Sequence, residues 1–125
     1  MSMLIIEDDQ GVRDSIAAIL REEGHTVETA GSGLAALRQL RERPLPTLIV
    51  LDLMMPEMDG IDFRRAQLAD PALRDIPVII ISARPDVALQ AAELGAEDFL
   101  RKPMSFEELL HVVQNRAVTE VGTPE

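Results

Sequence analysis

The chain has 125 residues, the length of one compact domain with a single core. Its net charge of −10 argues against nucleic acid or an anionic membrane as a direct ligand, because both select basic surfaces. The lack of cysteine excludes disulfides and thiolate chemistry, and no apolar run is long enough for a signal peptide or a membrane span. These properties are compatible with the cytoplasmic location that we expect.

Strand patterns alternate with helix patterns along the whole chain. Short apolar runs bounded by turn residues predict strands, and apolar residues at helical spacing predict helices. In chain order the prediction is a strand at 3–6, a helix at 12–23, a strand at 25–30, a helix at 33–42, a strand at 47–51, a helix at 60–68, a strand at 77–81, a helix at 87–94, a strand at 98–100 and a helix from 106. We expect a folded domain over residues 1–118 and a frayed tail over 119–125.

Capping residues support the predicted helix boundaries. Gly24 is expected to end the first helix, and Ser32 and Asp86 are expected to cap the second and the fourth. Ser105 with Glu108 forms a capping box before the last helix. The apolar faces of the helices are expected to include Val12, Leu34, Leu68 and Phe106.

The alternation of elements predicts an α/β fold. Five β–α units imply a parallel sheet with helices on both faces, joined by right-handed crossovers. In a doubly wound sheet with the strand order 2-1-3-4-5, the first and third strands are neighbours at the switch point, where ligands bind.

Polar side chains follow the apolar runs of four predicted strands. Asp52 ends the run at 47–51, and Glu7 and Asp8 follow the first strand. Ser82 follows the strand at 77–81, and Lys102, the only lysine of the chain, follows the last strand. Because parallel strands end at the same edge of a sheet, these side chains are expected to form one site.

The chemistry of such a site follows from its carboxylates. Glu7, Asp8 and Asp52 would repel one another, which raises a pKa or requires a cation. A set of oxygen ligands without histidine or cysteine fits Mg²⁺, or Mn²⁺, better than zinc. A carboxylate beside such an ion can accept a phosphoryl group. Lys102 would then neutralise charge and Ser82 would donate a hydrogen bond.

These segments together resemble the receiver domain of bacterial two-component response regulators, the CheY-like superfamily. The resemblance extends over residues 3–113 and rests on four pieces in the expected order. They are the acidic end of the first strand (4–9), the segment Leu51-Asp52-Leu53-Met54-Met55-Pro56-Glu57-Met58-Asp59-Gly60, the segment Ile81-Ser82-Ala83, and residues 95–103 with Lys102-Pro103. The resemblance implies the doubly wound, flavodoxin-like (βα)5 fold.

The resemblance also implies a role for each matching residue. Asp52 would be the phosphoacceptor, Asp8 would hold Mg²⁺ directly and Glu7 through water, and the backbone carbonyl of Met54 would be a further ligand. Asp9, the third acid, is expected to be a solvated residue at the helix start rather than a ligand.

The remaining roles concern the bound phosphoryl group and the switch. Ser82 would bond a phosphoryl oxygen, although it fits a turn hydroxyl as well, and Lys102 would pair with the group. The Lys102-Pro103 peptide would be cis, which an X-Pro bond allows. Phe99 matches the aromatic residue whose rotation accompanies activation, and a plain core aromatic is the alternative.

Partners follow from the same resemblance. A sensor histidine kinase or a histidine phosphotransfer protein would supply the phosphoryl group. A downstream protein would bind the face made by the fourth helix, fifth strand and fifth helix. The segment between Ser82 and Lys102 is about two residues shorter than in many members, near Arg84-Pro85, so the choice of partner is not carried over from the family. We expect no direct contact with nucleic acid or membrane.

Hydrolysis of the phosphoryl group is expected to be slow. Met54 and Arg84 would flank the attacking water, and Met54 can neither bond that water well nor act as a base. The same Met54 disfavours an aspartate-nucleophile phosphohydrolase, which needs an acid at that position, so we expect a signalling domain and not a turnover enzyme. A pseudo-receiver that is never phosphorylated is the other alternative. Met1 favours an N-terminal position in a stand-alone receiver, a longer regulator or a hybrid kinase.

Overall fold

A five-stranded parallel sheet forms the centre of the computed structural model, which describes residues 1–42, 44–55 and 59–121. The strands are β1 (Ser2–Ile6), β2 (Thr26–Ala30), β3 (Leu48–Asp52), β4 (Val78–Ser82) and β5 (Asp98–Arg101). The helices are α1 (Gln10–Glu22), α2 (Gly33–Glu42), α3 (Gly60–Leu68), α4 (Val87–Glu93) and α5 (Phe106–Val121). The strand order β2-β1-β3-β4-β5 confirms the predicted doubly wound fold.

The sheet is buried on both faces, which explains the continuous apolar runs of its central strands. One face packs against α2, α3 and α4 around the fully buried Phe63, and the other packs against α1 and α5 around Leu20 and Leu109. Successive residues of β3 therefore enter opposite cores, Leu48 on the α1 side and Ile49 on the α2 side. No helix in the described part of the chain is long and apolar enough to cross a membrane.

Several predicted helix boundaries are confirmed by hydrogen bonds. The Ser32 hydroxyl accepts a bond from the Ala35 amide at 3.1 Å. In the capping box, the Glu108 amide donates to the Ser105 hydroxyl and the Ser105 amide donates to the Glu108 carboxylate. Gly24, with a φ of 95°, follows the end of α1 in the left-handed conformation that glycine adopts without strain.

Other predictions about the helices are wrong. Asp86 occupies the cap position of α4 but makes no side-chain cap bond, because its carboxylate pairs with the guanidinium of Arg84. Four residues assigned to apolar faces are instead exposed: Val12, Leu34, Leu68 and Phe106. Helix α5 ends at Val121, and the tail at 119–125 stays a prediction because residues 122–125 lie outside the described ones.

A buried polar network joins α3 to the ends of its neighbours. Arg64, 4% exposed, donates to the carbonyls of Leu94 and Gly95 at 2.9 and 3.1 Å, just beyond α4. It also donates to the Gln67 side-chain oxygen at 2.7 Å. The Gln67 amide nitrogen in turn donates to the Leu73 and Ile76 carbonyls, which lie in the connection to β4. Two side chains of one helix thus hold two chain segments in place.

Replacement of Gln67 by Leu is expected to lower the free energy of unfolding by about 3 kcal/mol, because it leaves buried polar partners unsatisfied. The affected groups are the carbonyls of Leu73 and Ile76 and one Arg64 nitrogen. Urea unfolding measures the loss. Gln114→Leu, the same change at an exposed position of α5, serves as the control. A loss no larger than the control's would show that the network contributes little to stability.

Candidate functional site

The predicted site residues converge at the carboxyl edge of the sheet. Asp52 and Ser82 are the last residues of β3 and β4, and Glu7 directly follows β1. The strand register aligns Ile6 with Leu51 and Asp52 with Ile81, so these strands end at the same level. All three polar side chains are buried, with exposures of 2% for Glu7, 3% for Asp52 and 0% for Ser82.

Glu7, Asp8 and Asp52 form an acidic cluster. Each offers a carboxylate oxygen, and these oxygens all lie within 4.8 Å of one another. Asp8 is exposed whereas the other two are buried, so the cluster opens to solvent on one side. Because the donors are all oxygens and one side is open, the residues fit a hard divalent cation that keeps part of its water.

Lys102 supplies a positive charge inside the cluster. Its Nζ atom lies 3.1 Å from Glu7 Oε1 and 3.3 Å from Asp52 Oδ2. Burial alone would lower the pKa of Lys102, but the hydrogen bonds and charges of Glu7 and Asp52 outweigh it and raise that pKa. Its amide donates to the Ser82 carbonyl at 2.9 Å, and the Lys102-Pro103 peptide is cis, as predicted. Because its pKa is raised, the Lys102 ammonium group stays charged at neutral pH.

The carboxyl groups of Glu7 and Asp8, which follow β1, resist ionisation. Burial, and then the neighbouring Asp52, raise the pKa of Glu7 above its ordinary value of 4.5, while Lys102 acts in the opposite direction. Partial burial, followed by Glu7, raises the pKa of Asp8. Burial and the neighbouring carboxyl groups thus outweigh the effect of Lys102 on both pKa values, and a bound cation would favour the charged forms.

Glu7 should make the stability of the metal-free domain depend on pH. Its pKa is higher in the folded than in the unfolded chain, so folding retains a proton and stability falls as the pH rises from about 4.5 through the folded pKa. Glutamine does not ionise, so Glu7→Gln should not lose stability for this reason as the pH rises. The variant should therefore gain stability relative to wild type between about pH 4.5 and the folded pKa of Glu7. Urea unfolding at a series of pH values measures the difference, and Glu22→Gln on the exposed end of α1 is the control. Parallel curves for wild type and Glu7→Gln would contradict the prediction.

Backbone groups orient Asp52. Its Oδ1 atom accepts a hydrogen bond from the Met54 amide at 3.0 Å, while Oδ2 faces Lys102. The Leu53 amide donates to the Ile81 carbonyl and so continues the ladder between β3 and β4 past Asp52. The Met54 backbone lies beside the acceptor, and the use of its carbonyl as a metal ligand stays a prediction. Its side chain is 58% exposed.

The side chains of Ser82, Arg84 and Phe99 do not point into the acidic cluster in the same way as Lys102 does, and each has its own contacts or exposure. The Ser82 hydroxyl accepts a bond from the Arg84 amide at 3.1 Å, the arrangement of a turn hydroxyl. The Arg84 guanidinium is held by Asp86 at 3.0 and 3.1 Å, so its predicted reach across the site stays a prediction. Phe99 is 38% exposed on β5, so it is not a buried core aromatic in this conformation.

Three residues have supporting roles that the sequence analysis did not assign. The Arg13 guanidinium donates to the carbonyls of Glu7 and Asp8 at 2.8 and 3.4 Å, which steadies the loop that carries them. Asp59 caps α3 by accepting a bond from the Asp62 amide, a role that its position before a helix could have indicated. The third is Gly60, whose amide donates to the Leu53 carbonyl at 3.1 Å and where a Cβ atom would clash with the Asp52 loop. Residues 56–58 of the matching segment lie outside the described residues.

Comparison with known proteins extends these observations. A family model described as the response regulator receiver domain matches residues 3–114. The response regulator MprA of Mycobacterium leprae is 40% identical over 112 residues, which are 88% of this chain and 48% of that protein. The chain thus spans about half the length of the curated relatives it matches.

Solved structures agree with the fold. The receiver domain of a signal transduction histidine kinase from Syntrophus aciditrophicus superposes with a TM-score of 0.83 at 34% identity, covering 99% of this chain and 94% of that one. The Vibrio cholerae chemotaxis protein CheY4 gives a TM-score of 0.82 at 27% identity, covering 91% and 96%. The matched family region includes every residue of the acidic cluster and Lys102.

Proposed function

Because the chain belongs to the response regulator receiver domain family, we propose that it is the phosphoacceptor domain of a two-component phosphorelay, with Asp52 as the acceptor. A histidine kinase or a histidine phosphotransfer protein would supply the phosphoryl group. The observation that carries this proposal is the position of the Asp52 carboxylate between the Met54 amide and the Lys102 ammonium, beside Glu7 and Asp8.

In the proposed transfer, one Asp52 oxygen attacks the phosphorus atom of a phosphohistidine. A phosphorus–oxygen bond forms and the phosphorus–nitrogen bond breaks, so the imidazole leaves and the product is an acyl phosphate. The Met54 amide and Lys102 hold the carboxylate in one orientation before the attack, which removes part of the entropic cost. The charged Lys102 is then near enough to offset the negative charge that the phosphoryl group brings.

Glu7, Asp8 and Asp52 would hold Mg²⁺ or Mn²⁺, with the Met54 carbonyl as a further ligand. When bound, the ion would neutralise charge on the phosphoryl oxygens and on the cluster. Asp8 is the exposed member of the cluster and so offers the open side to a hydrated ion. The raised pKa of Glu7 is consistent with this assignment, because burial and the neighbouring Asp52 disfavour its charged form and a bound cation would favour it.

The output would be a change in the face made by α4, β5 and α5. Ser82 would exchange its bond with the Arg84 amide for one to a phosphoryl oxygen, and Phe99 would turn inward from its exposed position. The phosphoryl group can drive this only if it binds the rearranged state better than the present one. A downstream protein would recognise the rearranged face. A cytoplasmic location stays part of the proposal.

The side chains at the site disfavour enzymatic turnover. Met54 offers no acid or base two residues after Asp52, and its side chain is exposed. Arg84 would affect hydrolysis only if its guanidinium left Asp86. We therefore propose slow loss of the phosphoryl group.

Metal dependence provides the direct test of this function. Incubation with acetyl phosphate and Mg²⁺ should add one phosphoryl group, and EDTA should prevent it. Asp8→Asn should reduce the initial rate of labelling by about tenfold or more, because it removes a metal ligand and little else. It should also remove the rise in melting temperature that Mg²⁺ causes in the wild type. Intact-mass spectrometry and thermal denaturation measure these effects.

Asp9→Asn is the matched control, since Asp9 is the neighbouring acid but acts as the cap of α1, where Asn serves equally well. This variant should keep both the labelling and the response to Mg²⁺. Equal metal responses in Asp8→Asn and wild type would mean that the acidic cluster is structural only.

A further inference from the structure

The two acids that follow β1 both contribute oxygens to the acidic cluster, although they are neighbours in the chain. In an extended strand, successive side chains point to opposite faces of the sheet. Glu7 and Asp8 nevertheless offer carboxylate oxygens that lie within 4.8 Å of each other and of an Asp52 oxygen. The backbone must therefore turn where it leaves β1, and the orientation of two successive peptide groups decides whether both carboxylates face Asp52.

The guanidinium group of Arg13 holds these two peptide groups. Its Nη1 atom donates to the Glu7 carbonyl at 2.8 Å and to the Asp8 carbonyl at the longer distance of 3.4 Å. The peptide group after Asp8 is held from its other end as well, because the Asp9 amide donates to Glu7 Oε2 at 3.2 Å. One side chain of α1 thus helps to set the direction in which each acid leaves the backbone.

The space around the Arg13 guanidinium is confined. A Cβ atom on Gly31, in the turn after β2, would lie only 3.1 Å from Arg13 Nη1. The guanidinium therefore lies between the segment after β1 and the turn after β2, and the Arg13 side chain is partly buried there. A group held in this way keeps the acids in one arrangement before an ion binds, which lowers the entropic cost of binding.

We propose that Arg13 is a positioning residue for the divalent cation, because its guanidinium holds the backbone of Glu7 and Asp8 so that both carboxylates face Asp52. This role rests on the proposed function, since it concerns the ion that phosphorylation of Asp52 would need. Groups that orient metal ligands without touching the metal change its affinity by about 10- to 100-fold when they are removed.

The charge of Arg13 and its position have opposite effects on a bound cation. The guanidinium is permanently charged, so by charge alone it repels the cation, and its removal would tighten binding. If Arg13 orients the ligands, its removal weakens binding instead. A role in stability alone would leave the affinity of the folded protein unchanged. The sign of the change in Mg²⁺ affinity therefore separates these three roles.

Titration of Mg²⁺ into the ¹⁵N-labelled full chain measures this affinity through the amide shifts of Asp8 and Asp52. Arg13→Met should weaken binding about tenfold. Arg13→Lys should weaken it too, because lysine keeps the charge but has a shorter side chain. Arg21→Met is the matched control, since Arg21 lies about 12 Å farther along α1 and donates to the Val27 carbonyl at 2.7 Å. This control loses the same charge and the same kind of bond, and it should keep the wild-type affinity.

Gly31→Ala tests the position of the guanidinium without changing any charge. The added methyl group must displace Arg13 Nη1 by a few tenths of an ångström. It should weaken Mg²⁺ binding about threefold, and it should have no further effect in the Arg13→Met variant, because the two changes act through one contact. Unchanged or tighter binding in both Arg13 variants would overturn this role and leave the proposed function intact. A wild-type chain that binds no Mg²⁺ would overturn the proposed function, and this role with it.

Discussion

Replacement of Asp52 by Asn is expected to abolish the mass increase of about 80 Da that a phosphoryl group adds after treatment with acetyl phosphate and Mg²⁺. Asn has the size of Asp, but its amide lacks the nucleophilic carboxylate oxygen. The fold should survive, because the change removes one charge from a repulsive cluster and leaves Lys102 paired with Glu7. Intact-mass spectrometry reports the label and circular dichroism reports the fold.

Asp59→Asn is the control for this substitution. Asp59 lies in the same segment but caps α3 through its bond with the Asp62 amide, and Asn caps helices as well as Asp does. This variant should be labelled to the wild-type extent. Full labelling of Asp52→Asn would instead assign the acceptor to another side chain.

Replacement of Gly60 by Ala is expected to be the most destabilising small substitution near the site. A Cβ atom on Gly60 would lie 2.5 Å from the Leu53 Cα and 2.6 Å from the Asp52 carbonyl oxygen. Both atoms belong to the backbone and cannot yield without moving the loop that carries the acceptor. Overpacking of this kind costs about 2–3 kcal/mol, more than the helix propensity that Ala adds at the start of α3.

The same substitution should slow phosphorylation, because the backbone under Asp52 must shift to admit the methyl group. Urea unfolding measures the stability and the initial labelling rate measures the site. Gly11→Ala is the matched control, since its Cβ would lie 3.4 Å from the nearest group, Asp9 Oδ1, which is ordinary contact. That variant, near the start of α1, should be neutral or up to about 1 kcal/mol more stable. Equal effects of the two substitutions would mean that the close approach at Gly60 is relieved at no cost.

The fold and most of the acidic site follow from local patterns in the sequence. Runs such as residues 47–51 are recognisable because a strand buried on both faces must be apolar throughout. Asp52, Glu7 and Asp8 stand out because they end such runs, and parallel strands bring their ends together. The strand order 2-1-3-4-5 was expected from the doubly wound type and is the order observed.

Helix faces were less predictable, because helical spacing alone does not determine which turn meets the sheet. Val12 and Phe106 have the spacing of core residues, yet they lie at the first turns of α1 and α5 and are exposed. Asp86 stands at a cap position, but the nearby Arg84 competes for its carboxylate with two hydrogen bonds. Only side-chain positions decide such competitions.

The sequence alone thus determined which residues end the strands and that they meet at one edge of the sheet. Both properties depend on short segments, and parallel strands end at the same edge. The tertiary structure decided which groups pair across long distances in the chain. Lys102 contacts Glu7 as well as Asp52, and Arg64 bonds to carbonyls beyond α4. The closeness of Gly60 to the Asp52 loop depends in the same way on the packing of whole elements. No local pattern encodes such packing, because each contact joins segments whose relative position is set by the rest of the core.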